Sequence, residues 1–126
     1  MREITGGQAV IETLVNSGVE KIFGIPGIHN LAIYDAIYDL GIDHISSRHE
    51  QGAGFMALGY ARTSGKPGVA LVITGPGLGN IATAMGQAFH DSVPMLVISS
   101  QVETSALDYR SGYLHEMKNS TFFASS

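Results

Sequence analysis

The sequence contains no cysteine, which excludes disulfides and thiol chemistry and gives no sign of an oxidising compartment. Charge is scarce: 14% of the residues are charged, seven basic against eleven acidic. No block of lysines or arginines stands out, so nucleic acid is not an expected partner. The longest purely apolar run, Val69 to Ile73, is far too short to span a bilayer, so no membrane partner is expected either. Met1 to Thr5 carries Arg2 and Glu3 with no apolar segment after it, so no signal peptide is read and the expected location is the cytoplasm. Without such a signal, the glycosylation triplet Asn119-Ser120-Thr121 reads as chance.

Several familiar site motifs are missing too. Gly75-Pro76-Gly77-Leu78-Gly79-Asn80 invites a dinucleotide reading, but the third glycine of that motif would fall at Asn80. The acid expected at the end of the next strand is replaced by Ser99, Ser100 and Gln101, so nicotinamide binding is not expected. Gly65-Lys66 fails as a phosphate loop, with Tyr60 at the first glycine position and Pro67 at the hydroxyl position. His49-Glu50 has Ala53 where a zinc helix needs its second histidine, and His29, His44, His90 and His115 show no ligand spacing, so no metal held by this chain is expected. No Gly-x-Ser-x-Gly elbow occurs, which leaves a serine hydrolase without support.

What is present is a globular composition. Of 126 residues, 44% are hydrophobic, enough to bury the core of one domain and hardly of two. Sixteen glycines cluster where apolar runs end, as at strand-to-helix turns. Thr5 with Gln8 reads as a capping box for a helix to about Ser17, with Val10, Ile11, Leu14 and Val15 on one face and Gly18 as its stop. Lys21 to Ile25 reads as a strand ended by Pro26-Gly27, followed by a helix from about Asn30 to Leu40 with Leu31, Tyr34, Ile37 and Tyr38 at helical spacing. Asp43 to Ser47 is a second strand, and His49 to Thr63 a helix rich in alanine and glycine. Val69 to Thr74 reads as a strand buried on both faces. Gly75-Pro76-Gly77 is the turn after it, Asn80 to Phe89 a fourth helix, and Met95 to Ser99 a fourth strand. This alternation predicts an α/β fold, a three-layer αβα open, mainly parallel sheet. Ligands of such sheets bind at the carboxyl ends of the strands. Here those ends are Pro26-Gly27, Arg48-His49-Glu50, Gly75-Pro76-Gly77 and Ser100-Gln101.

Glu50 is the side chain there with the clearest chemistry. A carboxylate at that rim, in mostly apolar surroundings, is a usable proton donor near neutral pH. It is equally an acid complementing a helix N-terminus, and composition and pattern alone favour this plainer reading.

A resemblance changes that weighting. Arg48-His49-Glu50-Gln51-Gly52-Ala53, continuing to Gly59-Tyr60-Ala61-Arg62, resembles the N-terminal motif of the thiamine-diphosphate-dependent acetolactate synthase and 2-oxo-acid decarboxylase family. Phe23 to Gly27, Gly65 to Val69, Thr74 to Gly77 with Asn80, and Asp91 to Pro94 running on to Val102 agree with it in order and spacing. The likeness runs from about Thr5 to Ser126. Ser111 to Met117, together with Gln51 to Ala57, is most similar to decarboxylases of guanidino-type 2-oxo acids. His115 falls where simple 2-oxo-acid decarboxylases carry a histidine pair, but Glu116 holds the second position; Gly79 also departs from the threonine or serine often found there.

The resemblance implies a pyrimidine-binding domain for thiamine diphosphate. It makes Glu50 the glutamate that hydrogen-bonds the ring nitrogen N1′ and promotes ylid formation. Pro26, Gly27, Gly75 and Gly77 become backbone approaches to the ring or remain ordinary turns. Asn80 faces the ring or caps its helix, and Gln101 reaches the site from its strand end. His49 and His115 are substrate-side candidates, with His49 alternatively at a subunit interface. His29 and His90 read as surface or interface residues, and the rings of Tyr34, Tyr38 and Tyr60 as packing. The diphosphate and Mg2+ motif of the Gly-Asp-Gly type does not occur in the chain. Residues 1–126 are therefore expected to be one domain of a longer three-domain chain, inert alone. The implied partners are a 2-oxo acid, a diphosphate-binding domain of the same or a neighbouring subunit, and further copies in a homodimer or homotetramer. FAD in the parent is possible in the family but not indicated here. The competing expectations are a non-catalytic regulatory or interaction module that retains the fold, and a flavodoxin-like nucleotide binder.

Overall fold

The computed structural model describes residues 3–107 and 112–117. Asn119-Ser120-Thr121, Ser111 and the last residues of the chain lie outside the described residues. The first helix, α1 (Gly6–Asn16), starts as its sequence dictates: Gln8 N donates to Thr5 Oγ1 at 3.1 Å and Thr5 N to Gln8 Oε1 at 2.9 Å, so two free amide groups are satisfied reciprocally. There follow β1 (Lys21–Gly24), a single 3-10 turn at Ile28–Asn30, α2 (Leu31–Leu40), β2 (Asp43–Ser46), α3 (Glu50–Ser64), β3 (Gly68–Val72), α4 (Pro76–His90), β4 (Met95–Ser99) and a second 3-10 turn at Thr104–Ala106.

The four strands form one sheet in the order β2-β1-β3-β4, all parallel, with Phe23 opposite both Ile45 and Ala70, and Ala70 opposite Val97. Side chains alternate across it. Ile22, Val69 and Leu71 face α1 and α2, where they join Ile11, Leu14, Ala36, Ile37 and Ile42. Phe23, Ala70 and Val72 face α3 and α4, where they join Ala53, Ala57, Leu78, Ile81 and Ala84. Every residue of β3 is buried, as its unbroken apolar run predicts. This is the expected three-layer α/β fold.

Three expectations need correcting. The fourth helix begins at Pro76, not Asn80. Gly75 adopts φ +61°, which turns the chain at once, and proline with its fixed φ suits the first helical position. In α1, Val15 is 41% exposed and lies off the core face. In α2, Leu31 is 50% and Tyr38 90% exposed, while Ile33 and Tyr34 pack on the core. At Gly7 a methyl would lie 2.2 Å from the Ala32 carbonyl oxygen, so α1 abuts the α2 backbone there. Tyr38 is thus largely unburied among the described residues, whereas Tyr60 stacks obliquely on Phe23. Tyr34 meets His44 edge-on, with its hydroxyl 3.1 Å from His44 Nε2. Burial pushes the Tyr34 phenol up and the His44 imidazole down, so Tyr34 donates to a neutral ring.

Candidate functional site

The carboxyl ends of the strands carry the residues singled out above, and the loops there are built tightly. After β1, Asn30 is 1% exposed; its Oδ1 accepts from Gly27 N at 2.8 Å and its Nδ2 donates to Ile25 O at 3.4 Å, closing residues 25–30 on themselves. A methyl on Gly27 would strike Ile73 Cγ2 at 2.5 Å. Pro26 is exposed. After β3, Thr74 is also 1% exposed. Its hydroxyl donates to Gln101 Oε1 at 2.9 Å, and its amide donates to Ser100 Oγ at 3.2 Å. Gln101 Oε1 also accepts from Val102 N at 2.9 Å, so this side chain ties the ends of β3 and β4 together. Asn30 and Thr74 escape a sequence reading. Their signal is only a polar residue beside a glycine turn, which loops supply often.

Glu50 is the first residue of α3 and is half-buried. The duty of capping α3 falls to His49, whose Nδ1 accepts from Gln51 N at 3.2 Å. His49 is otherwise exposed. Glu50, in the first turn of α3, keeps the plain role of an acid at a helix N-terminus and also reaches across to α4. Its Oε2 accepts from Asn80 Nδ2 at 2.9 Å. Because α4 starts at Pro76, Asn80 sits in its second turn rather than at its cap, with its side chain turned to α3. Gly77 passes close by: a methyl on it would lie 2.8 Å from Ile73 Cγ1 and 3.7 Å from Glu50 Oε1. Any larger side chain would crowd that oxygen. Gly75 is constrained twice, by its positive φ and by the His115 carbonyl oxygen, which a methyl would meet at 2.1 Å. The segment 112–117 is thereby docked on this turn.

In sequence, His29 reads as a surface or interface residue. It is half-buried, its ring centroid is 5.8 Å from that of His115, and Nδ1 of each ring is buried without a hydrogen-bond partner. His90 is exposed and pairs with Asp91. The opposite ends of α3 and α4 are tied by Arg62 and Asp91; hydrogen bonds from His90 and Gln87, with Arg62 close by, hold Asp91 below the ordinary carboxylate range.

The site therefore brings Glu50, Asn80, Gly77 and Gly27 together around Ile73, with Gly75, His115 and His29 alongside. One carboxylate oxygen is fixed by an amide and the other borders glycine backbone, an arrangement that suits a flat ring carrying a basic nitrogen. Among the described residues no group of three or more histidine, aspartate or glutamate side chains could hold a metal ion. No helix among them is long and apolar enough to cross a membrane. The cleft between α4 and β4, lined by Leu78, Met85, Phe89, Met95 and Val97, has no titratable side chain and is not this site.

Comparison with known proteins bears on the ligand. The family described as "Thiamine pyrophosphate enzyme, N-terminal TPP binding domain" matches residues 4–122. The chain belongs to that family. Its relatives include the probable 2-ketoarginine decarboxylase AruI of Pseudomonas aeruginosa, 56% identical over 118 residues, 94% of this chain and 21% of that protein. The mitochondrial acetolactate synthase catalytic subunit of Saccharomyces cerevisiae is 50% identical over 105 residues, 82% of this chain and 15% of that protein. The acetolactate synthase isozyme 3 large subunit of Escherichia coli is 46% identical over 110 residues, 86% of this chain and 19% of that protein. The chain thus spans about a fifth or less of the length of these curated relatives.

Proposed function

We propose that this domain binds the aminopyrimidine ring of thiamine diphosphate and that Glu50 activates the cofactor, as part of a longer enzyme acting on 2-oxo acids. The observation that carries this reading is the Glu50 carboxylate, steadied at Oε2 by Asn80 and bordered at Oε1 by Gly77. When bound, thiamine diphosphate supplies the carbanion chemistry and stores the electrons left behind as carbon dioxide departs. The chain's own part is positional and protonic. Glu50 holds a proton at Oε1 and shares it with ring nitrogen N1′. Asn80 keeps the carboxylate in one rotamer. Gly27, Gly75 and Gly77 let backbone approach the ring, and Gln101 with Thr74 fixes the turn that carries Gly75.

Mg2+ and the diphosphate are assigned to another domain, of the same or a neighbouring subunit, so the 126 residues alone are inert. Support for a partner comes from the outer face of α3, where Gly52 and Gly59 have open space beside them and Phe55 is 41% exposed. A homodimer or homotetramer, in the cytoplasm, is the proposed assembly. The relative named as a probable 2-ketoarginine decarboxylase favours decarboxylation of a guanidino-type 2-oxo acid over acetolactate formation.

The test is Glu50→Gln in the full-length protein loaded with thiamine diphosphate and Mg2+. Exchange of the cofactor C2 proton in deuterated water is expected to slow by about 10²–10⁴-fold, with the circular dichroism spectrum unchanged. Exchange at the parental rate would sink the assignment.

A further inference from the structure

The amino ends of the strands, opposite Glu50, carry a cleft of about 590 Å³ that the function proposed above does not use. Its floor is apolar. Leu14 and Val69 are buried there, while Leu96, opposite Val69 in the sheet register, is left 43% exposed. Val19 and Pro67 complete the wall. The rim carries charge of both signs. Glu20, just before β1, pairs with Lys66, on the approach to β3. The two side chains are 59% and 48% exposed, so the pair is weak and opens readily. Lys66 foremost, with Lys21 and Tyr60, holds the Glu20 carboxyl below its ordinary range, and Glu20 is ionised at neutral pH. Lys21 is itself engaged by Asp43. Helix α1 ends at the same rim, through Thr13, Ser17 and Gly18, with no basic residue in its last turn. Its carbonyl end therefore adds partial negative charge on the Glu20 side.

We propose that this cleft binds an α-amino acid with an apolar side chain, its ammonium held by Glu20 and its carboxylate by Lys66. A zwitterion inserted between the two replaces one exposed ion pair with two and leaves no charge unmatched. The end of α1 favours the ammonium, and the floor from Leu14 to Leu96 takes the apolar side chain. The volume lies within the range of small-molecule sites. A fatty acid would engage Lys66 and leave Glu20 without a partner; an amine would do the reverse. The cleft and Glu50 lie at opposite ends of parallel strands. The amino acid is therefore a second ligand, distinct from anything that reacts at the Glu50 end.

The test is equilibrium dialysis of the full-length protein against radiolabelled L-leucine, L-methionine and L-phenylalanine. At least one of the three is expected to bind saturably, at one site per chain. For L-leucine the competitors are 4-methylpentanoate and 3-methylbutylamine, each of which lacks one of the two charges. Each is expected to compete about tenfold more weakly than the amino acid or worse. Three variants locate the site. Glu20→Gln and Lys66→Gln should each weaken binding about tenfold with Tm unchanged, and Leu96→Trp, filling the floor from an exposed position, should abolish it. Failure of all three amino acids to bind overturns the proposal, because the cleft is then closed or unselective in the full-length protein. So does binding that survives all three variants, which places the ligand elsewhere. Competition by 4-methylpentanoate as strong as by L-leucine also overturns it, since the cleft is then merely apolar. Exchange of the cofactor C2 proton should be the same with and without saturating amino acid. An amino acid displaced by thiamine diphosphate would sit at the Glu50 end and would refute the proposal as well.

Discussion

The two helical layers of this domain are built on different principles. Beneath α1 and α2 the contact is made by long aliphatic side chains, Ile11, Leu14, Ile37 and Ile42. Beneath α3 and α4 it is made largely by alanine and glycine, with Ala53, Ala57 and Ala84 fully buried and Gly54 so close to α4 that a methyl would lie 2.5 Å from Ala84 Cβ. Large side chains give burial and tolerate some repacking, although at Gly7 the first two helices also touch backbone to backbone. Small ones set the distance between two backbones, and that distance brings the start of α3 beside the second turn of α4, so that Glu50 reaches Asn80. The first layer is chiefly a source of stability. The second is also a ruler for the site.

Mutations can break or sharpen this contrast. The largest loss of stability is expected from Ile11→Ala, which empties a fully buried position and should cost about 2–5 kcal/mol in urea denaturation. C2-proton exchange per folded full-length molecule should be unaffected. Gly54→Val should cost less stability, about 1–3 kcal/mol by overpacking, yet lower C2 exchange markedly by parting α3 from α4. Exchange that survives in Gly54→Val, or is lost in Ile11→Ala, would erase the distinction between the layers. Thr5→Ala removes the cap of α1 and should lower stability by about 1 kcal/mol with no effect on exchange.

The smallest effect is one of pH. Burial holds the His44 imidazole below its ordinary value of 6.5, against an opposing hydrogen bond to Gly24. The unfolded chain therefore binds that proton more readily than the folded one. The contribution of His44 is complete above pH 6.5 and is lost as pH falls through the lowered folded value. Denaturation midpoints measured from pH 7.5 down to 5 should drop less in His44→Gln than in the parent. Parallel profiles would show that the Tyr34–His44 contact carries no titration.

Much of this was legible in the sequence where local chemistry decides. Thr5 with Gln8 names its own capping box, and the apolar run beginning at Val69 can only be an inner strand. Glu50 is a different case. Its position followed from motif resemblance, while its hydrogen bond to Asn80 depends on how α3 packs on α4, which no spacing rule anticipates. The helix expected at Asn80 began at Pro76 because a left-handed glycine followed by proline starts a helix at once. Leu31 and Tyr38 were misjudged because α2 turns Ile33, Tyr34, Ala36 and Ile37 to the core instead, a choice made by tertiary packing. The pairing of His29 with His115 was invisible for the same kind of reason: it joins two loops far apart in the chain, each held by its own backbone hydrogen bonds.

The sheet order has a consequence for how the molecule comes into being. Its first strand is flanked on one side by β2 and on the other by β3, so the sheet grows outward from the middle as the chain leaves the ribosome. When β2 has emerged, Ile11, Leu14 and Ile37 still lack Val69 and Leu71, the part of their core that β3 supplies. The nascent chain must carry that open apolar surface until translation reaches β3, since nonlocal parallel pairing waits for both partners. Translational pauses ahead of Gly68 would lengthen that interval, and this is the stage of biogenesis at which a chaperone has the most to protect.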